Sequence, residues 1–553
     1  MRLRRKPVLI GLAILVVISG ATSGTVLYEY IQDHKTLPPV ASHTDITNQP
    51  MRTFEQSLAT KTPADVSNYS DSACTKLSPT WVADENAQQG VAMAVKDWKK
   101  LNLQGAAGSA LWLNKTSGGC GDTIDIHASL YGSSADTFHT GARSIEALRI
   151  GWYQGSGARQ VWDSGPINLK ERKVNHPHDA TRMVDTSWPT TVPLKLDQHW
   201  VPGFYLFITR SFDGTIENAA PFVLHSPLGS SKLMLMHSFI TWNTYNTFGG
   251  RSGYFGGGAT KTEQRNDRSR VVSLDRPIVG SGGFSIHRDA VSLVQFIEKA
   301  GINYDQYSDF DLDSWPSITK SYNGIVLGGH PEYFTHRIYD TLVSARNTGI
   351  NVAILGGNTG IWQTRLADSK VGKNRRIIIY RVAAQDPVTN LNQVTIKFED
   401  RRLNIPPTLL TGSLADGVHV YGELKAVTIP KWLTLPANSA ITGISPDSEV
   451  EHAVSTPAAP PSANILFSGI MHYRDAPTPG LPTRPVPIAQ SIWFTTPSGA
   501  AIFNAGISTW SCDLVQTCAY TTVNEASRAI MASVTTQILN LWQTKAVGKT
   551  LHN

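Results

Sequence analysis

A β-sandwich followed by an α/β domain with a parallel sheet and flanking helices is the fold class this sequence predicts. Three observations carry that reading. Between about 71 and 227, short apolar runs alternate with period two and are broken by glycine turns, the pattern of half-buried strands. After Pro227, strand-like runs alternate with runs of helical spacing, the β-α-β order that calls for parallel strands and right-handed crossovers. Two of those runs end in paired glycines followed by polar side chains. One is Ile325-Val-Leu-Gly-Gly-His330-Pro-Glu332; the other is Asn351-Val-Ala-Ile-Leu-Gly-Gly-Asn358. Ligands in open α/β sheets bind outside the carboxyl ends of strands, so function is expected there.

In chain order, Arg2, Arg4, Arg5 and Lys6 precede an uncharged run of 22 residues from Pro7 to Tyr28. Its densest part, Val8 to Ile18, has the length of a signal-peptide core, and Ser19-Gly-Ala21 offers a cleavage site. The whole run reaches the ~20 residues of a membrane-spanning helix. Residues 1–28 are therefore a signal anchor or a signal peptide, with the basic end cytoplasmic and the body exported. Expected locations are a single-pass cell-membrane protein with an extracytoplasmic body, or a secreted one. Residues 29–70, polar and rich in Pro, Thr and Ser, read as an extracytoplasmic stalk.

The sandwich is assigned to 71–227. Ile124, Ile126, Ala128 and Leu130 alternate, as do Leu148, Ile150 and Trp152, and Phe204–Thr209 and Phe222–Leu224 supply further strands. The α/β domain is assigned to 228–545. Lys232 to Met236 reads as a buried strand. Ala290, Leu293, Val294 and Ile297 form one helical face, stopped by Gly301. After the strand at Ile325–Leu327, Thr335 is placed to cap a helix with face Ile338, Thr341, Leu342 and Ala345, and Val352–Leu355 is the next strand. Consecutive strands are commonly neighbours, so His330, Glu332 and Asn358 are expected at one edge. Strands at 377–380, 465–467 and 501–503 and a helix from Asn524 to Thr544 complete the reading. The alternating Asp309, Asp311 and Asp313 lack an EF-hand's glycine and terminal glutamate, and read as a solvated connection.

Four of the 49 basic residues lie in the leader, so the other 45 nearly balance 43 acidic ones. Such a body has no electrostatic footprint for nucleic acid. The cysteines fall as Cys74 with Cys120 and Cys512 with Cys518, although three pairings are formally possible, and export favours disulfides. None lies between 121 and 511, which excludes a cysteine nucleophile beside the glycine-flanked strand ends.

Upstream of those ends, Thr241-Trp-Asn-Thr-Tyr245-Asn-Thr-Phe-Gly-Gly-Arg-Ser-Gly-Tyr254 places two phenols in a stretch too glycine-rich for a helix, able to converge from a loop. Together with SLDRP at 273–277, SDFDLD at 308–313, GGHPEYFT, GGNTGIWQTR and the earlier RIGWYQGSGARQVW at 149–162, this run resembles the N,N-dimethylformamidase large (β) subunit and its relatives. The resemblance implies a glutamine-amidotransferase-like C-terminal domain. It also implies a mononuclear iron, Fe(III), held by Tyr245, Tyr254 and Glu332, with His330 and Asn358 as polar catalytic residues beside it. An additional catalytic carboxylate of the family falls in the region of Asp447 and Glu449. Phenolate and carboxylate are hard oxygen donors suited to that ion and poorly suited to structural zinc.

The implied activity is hydrolysis of an amide C–N bond. The substrate is expected to be a small molecule or envelope-derived, reached from a membrane-tethered body with no nucleic-acid partner. Export departs from the cytoplasmic, two-subunit amidase, and the substrate and the partner subunit stay open. The competing class is a non-catalytic cell-envelope binding protein that retains the fold. A hydrolase of envelope material is the third.

Overall fold

The computed structural model describes residues 77–92, 108–131, 142–176, 179–197, 200–211, 214–454, 463–476 and 484–551. The basic leader, its apolar run, the stalk and Cys74 lie outside the described residues. Among the described residues no helix is long and apolar enough to cross a membrane.

Two sheets carry the core of the first half. Strands Gly157–Asp163, Ala142–Ile150, Gly203–Arg210 and Ile216–Leu224 pair antiparallel in that order, and Val192–Lys195, Thr123–Tyr131 and Gly108–Leu113 form the second sheet. Leu111, Leu113, Ile124, Ile126, Ala128 and Leu130 of one meet Ile145, Ala147, Tyr205, Phe207 and Phe222 of the other in a single buried cluster. The period-two face read from Ile124 to Leu130 is thus a core face, as in a β-sandwich.

The second half is a nine-stranded sheet. Its strands are β1 (Leu233–His237), β2 (Asp305–Ser308), β3 (Gly324–Gly329), β4 (Asn351–Gly356), β5 (Ser413–Ala426), β6 (Ala440–Ala453), β7 (Asn464–Tyr473), β8 (Ile488–Thr495) and β9 (Ala501–Asn504), in the spatial order β2-β1-β3-β4-β9-β8-β7-β5-β6. The first five in space are parallel, and the last four extend them antiparallel. The sheet is therefore mixed, not parallel throughout as expected. The 14-residue β5 and β6 escaped notice because they mix polar and apolar residues and carry several register shifts. The expected strand at 377–380 is the short Arg376–Ile378, which belongs to a separate four-stranded sheet.

β3 and β4 are buried along their whole length, which explains continuous apolar runs instead of alternation. They pair in register from Gly324 with Asn351 to Gly329 with Gly356, so the two glycine-ended strands do stop side by side. The glycines are needed for that approach. A Cβ at Gly356 would overlap the Gly329 carbonyl, and one at Gly329, whose φ is +68°, would overlap Asp289. Gly356→Ala is expected to cost ~1–3 kcal/mol by overpacking. Gly372→Ala, where a Cβ meets nothing nearer than 3.9 Å, is expected to be neutral. Chemical denaturation of both variants checks this.

Among the helices are α1 (Phe239–Tyr245), α2 (Ser292–Lys299), α3 (Asp309–Ser314), α4 (His336–Asn347) and α5 (Glu525–Trp542). Thr335 caps α4 as read from sequence, accepting from Ile338 N at 3.1 Å, and Asn524 caps α5. A π-helical turn at Ile286–Val291 leads into α2.

The three aspartates correct their reading as a solvated connection. α3 is a short capped helix with no exposed residue, and each carboxylate ties down a different element. Asp309 accepts from Ile240 N at 2.9 Å, capping the start of α1. Asp311 takes Ser117 at 2.6 Å and His225 at 3.1 Å from the first half, and Asp313 takes the hydroxyl of Thr335, the α4 cap, at 2.5 Å. Alternation in the sequence made them look solvent-facing because it cannot show that Ile240, Ser117, His225 and Thr335 surround them.

The two halves also meet through a dry ion pair. Arg149 donates to both oxygens of Glu298 at 2.7 and 3.2 Å, with neither side chain exposed.

Cys512 and Cys518 form a disulfide. Cys120 bonds no described cysteine, and its expected partner Cys74 is outside the described residues.

Candidate active site

Beyond the paired ends of β3 and β4, the chain turns polar in two loops that hold each other. Gly360 N donates to Pro331 O at 2.9 Å and Trp362 N to Glu332 O at 3.1 Å. Ser511, beside the disulfide, links both strand ends: its hydroxyl donates to Leu355 O at 2.7 Å and accepts from Gly329 N at 3.1 Å. Asn358 sits at φ +55°, a left-handed conformation that asparagine tolerates better than most residues.

Tyr245 is the last residue of α1, a correction to the loop reading, because the glycine-rich stretch begins only after it. α1 is locked at its start by Asp309 and along its length by Thr241, which accepts from Tyr333 N at 3.2 Å. Tyr254 lies in the loop that follows, where Gly253 N donates to Thr244 O at 2.8 Å. The two rings stack with centroids 4.4 Å apart.

All five residues singled out in the sequence come together. Tyr245 donates to Glu332 Oε2 at 2.7 Å, and Tyr254 to Oε1 and Oε2 at 2.9 and 2.7 Å. His330 Nε2 is 3.8 Å from Glu332 Oε2 and 3.3 Å from Glu449 Oε2. Asn358 Nδ2 donates to Glu449 Oε2, while its own buried Oδ1 has no hydrogen-bond partner. His330, Glu332, Tyr254 and Asn358 are buried, and Tyr245 is half-buried. Asp447, by contrast, is 54% exposed and faces Arg474 and His419, so Glu449 is the carboxylate that reaches the cluster.

Three further residues escaped sequence reasoning or were only bracketed by it. Glu449 comes from β6, itself unrecognised. Tyr333 donates to the Tyr254 oxygen at 2.6 Å and Arg381 donates to Tyr333. Tyr333 was within the GGHPEYFT motif, next to Glu332, but one tyrosine among 17 gave no further signal.

The electrostatics divide the two carboxylates. Burial raises Glu332, helped by the charge of Glu449 and opposed by His330 and Arg381. Burial would raise Glu449 too, but the His330 imidazole outweighs it and holds Glu449 low. His330 is raised in turn: Glu449 overcomes the burial that works against its charge. Burial and the adjoining Glu332 push both phenols well above the ordinary tyrosine range, so they keep their protons and donate them.

A metal fits this donor set by its chemistry. Three oxygen-bearing groups from separate segments already touch one another, and a cation among them would take the place of the shared protons. Among the described residues no group of three or more His, Cys, Asp or Glu is arranged for a metal.

The family model described as N,N-dimethylformamidase beta subunit-like, C-terminal, matches residues 144–521. The chain belongs to that family. The dimethylformamidase-like match begins inside the sandwich strand Ala142–Ile150 and runs past the disulfide, so it takes in every residue of the cluster. No curated protein matches this chain. A Paenibacillus sp. cycloisomaltooligosaccharide glucanotransferase, solved with cycloisomaltoheptaose, is similar at 9% identity and TM-score 0.16. This chain covers 45% of that protein's length, and 45% of this one is covered, a likeness too slight to argue from.

Proposed function

We propose that this dimethylformamidase-like protein is a hydrolase of amide C–N bonds, using one ferric ion held by Tyr245, Tyr254 and Glu332. The observation that carries the reading is that both phenol oxygens lie within 2.9 Å of the Glu332 carboxylate, in a chain of this family. Three anionic donors and a trivalent ion sum to zero charge, which suits a buried pocket. When bound, that ion supplies Lewis acidity toward an amide carbonyl or a water.

The chain's own residues divide the remaining work. Glu449, held anionic, takes the proton of the attacking water, and His330 returns a proton to the amine nitrogen as the C–N bond breaks. The products are a carboxylic acid and an amine. Asn358 is placed to hydrogen-bond the carbonyl oxygen once substrate displaces its contact with Glu449. The glutamine-amidotransferase-like character of the sheet belongs to the same proposal and is supported by its five parallel strands. So do a partner subunit of unknown identity, export, and tethering through the basic and apolar N-terminus.

Metal analysis of the purified full chain tests the core of the reading. Stoichiometric iron with a visible phenolate-to-iron band is expected, weakened in Tyr254→Phe and absent in Glu332→Ala. Metal-free protein that is unaffected by Glu332→Ala would leave the non-catalytic binding protein instead.

A further inference from the structure

One phenol of the pair is held differently from the other. Tyr254 accepts a hydrogen bond from Tyr333 at 2.6 Å, and Tyr333 in turn accepts from the Arg381 guanidinium. The same guanidinium lies over the Tyr254 ring, its Cζ 3.8 Å from the centroid, and 5.2 Å from that of Trp362. Tyr245 faces the His330 ring instead, at 5.8 Å.

Arg381 is only 7% exposed and sits at φ +64°, a backbone region that costs a non-glycine residue ~1–3 kcal/mol. A buried cation held in a strained conformation needs an electrostatic reason, since desolvation opposes it. Glu332 is one negative charge set to balance it, at the end of the relay Arg381, Tyr333, Tyr254, Glu332.

We propose that Arg381 and Tyr333 are a positioning pair that weakens Tyr254, and not Tyr245, as an electron donor to the metal, making the two phenols inequivalent. The proposal rests on the iron reading above. A hydrogen bond donated to a phenolate oxygen and a cation stacked on its ring both draw electron density from that oxygen. The ion is left more electron-poor and a stronger Lewis acid than two unassisted phenolates would make it.

The test uses the full chain reconstituted with ferric iron, comparing wild type with Tyr333→Phe and Arg381→Met. Iron content, position of the phenolate-to-iron band and ferric/ferrous potential are read. Both variants are expected to keep stoichiometric iron while the band moves to longer wavelength. Ferric iron should be favoured over ferrous about ten-fold more than in wild type, which lowers the potential by about 59 mV.

Retained iron with an unmoved band and potential would make the pair packing residues and overturn this proposal alone. A wild type that takes up no iron overturns the iron reading and this proposal with it. Should Arg381→Met fail to fold, Tyr333→Phe, which keeps the ring, decides the matter.

Discussion

Glu298→Ala is expected to lower stability by about 3–5 kcal/mol, because it strands the Arg149 charge at the junction of the sandwich and the nine-stranded sheet. Neither side chain of this pair is exposed, so water cannot replace the lost carboxylate. Glu298 also accepts from Tyr304 at 3.1 Å and from Asn86 at 3.0 Å. Glu85 is the nearest alternative carboxylate, but it is already engaged by Tyr153 at 2.6 Å and Arg159 at 2.7 Å. Removing both partners together, as Arg149→Met with Glu298→Leu, is expected to recover most of the loss, since apolar groups of similar size carry no desolvation penalty. Urea denaturation of the two singles and the double forms the necessary cycle. If Glu298→Ala unfolds within ~1 kcal/mol of wild type, the junction is wetter than its geometry implies.

What the sequence made legible follows from how local each signal is. The strands carrying Ile124 to Leu130 and Ile325 to Leu327 announced themselves through period and through unbroken apolarity, both readable within one segment. Thr335 was readable as a cap for the same reason. The turn holding Asp309, Asp311 and Asp313 was not, because its character is set by Ile240, His225 and Thr335, all distant in sequence. Tyr245, Tyr254, Glu332, His330 and Asn358 were found since each sits in or beside a glycine-marked motif. Arg381 stands next to no such mark, and the Tyr254, Tyr333 and Trp362 rings around it come from other segments. Glu449 lies on β6, whose bulged pairing with β5 hides the alternation that would have revealed a strand.

Under the proposed ferric reading, Glu449→Gln is expected to reduce turnover by about 10²–10⁴-fold while leaving iron content unchanged. The substitution keeps size and the ability to accept from Asn358, but a carboxamide takes no proton from water. Glu449 is separated from the phenols by Glu332 and His330, so its loss should not release the ion. Glu332→Gln is the contrasting case, since it alters a donor shared by Tyr245 and Tyr254 and should cost iron as well as rate. Amine release from a panel of small amides, normalised to bound iron, separates the two. A Glu449→Gln protein that loses iron would move Glu449 into the metal's ligand set. One that keeps both iron and full turnover would remove it from the reaction and leave His330, 3.8 Å from Glu332, as the remaining candidate base.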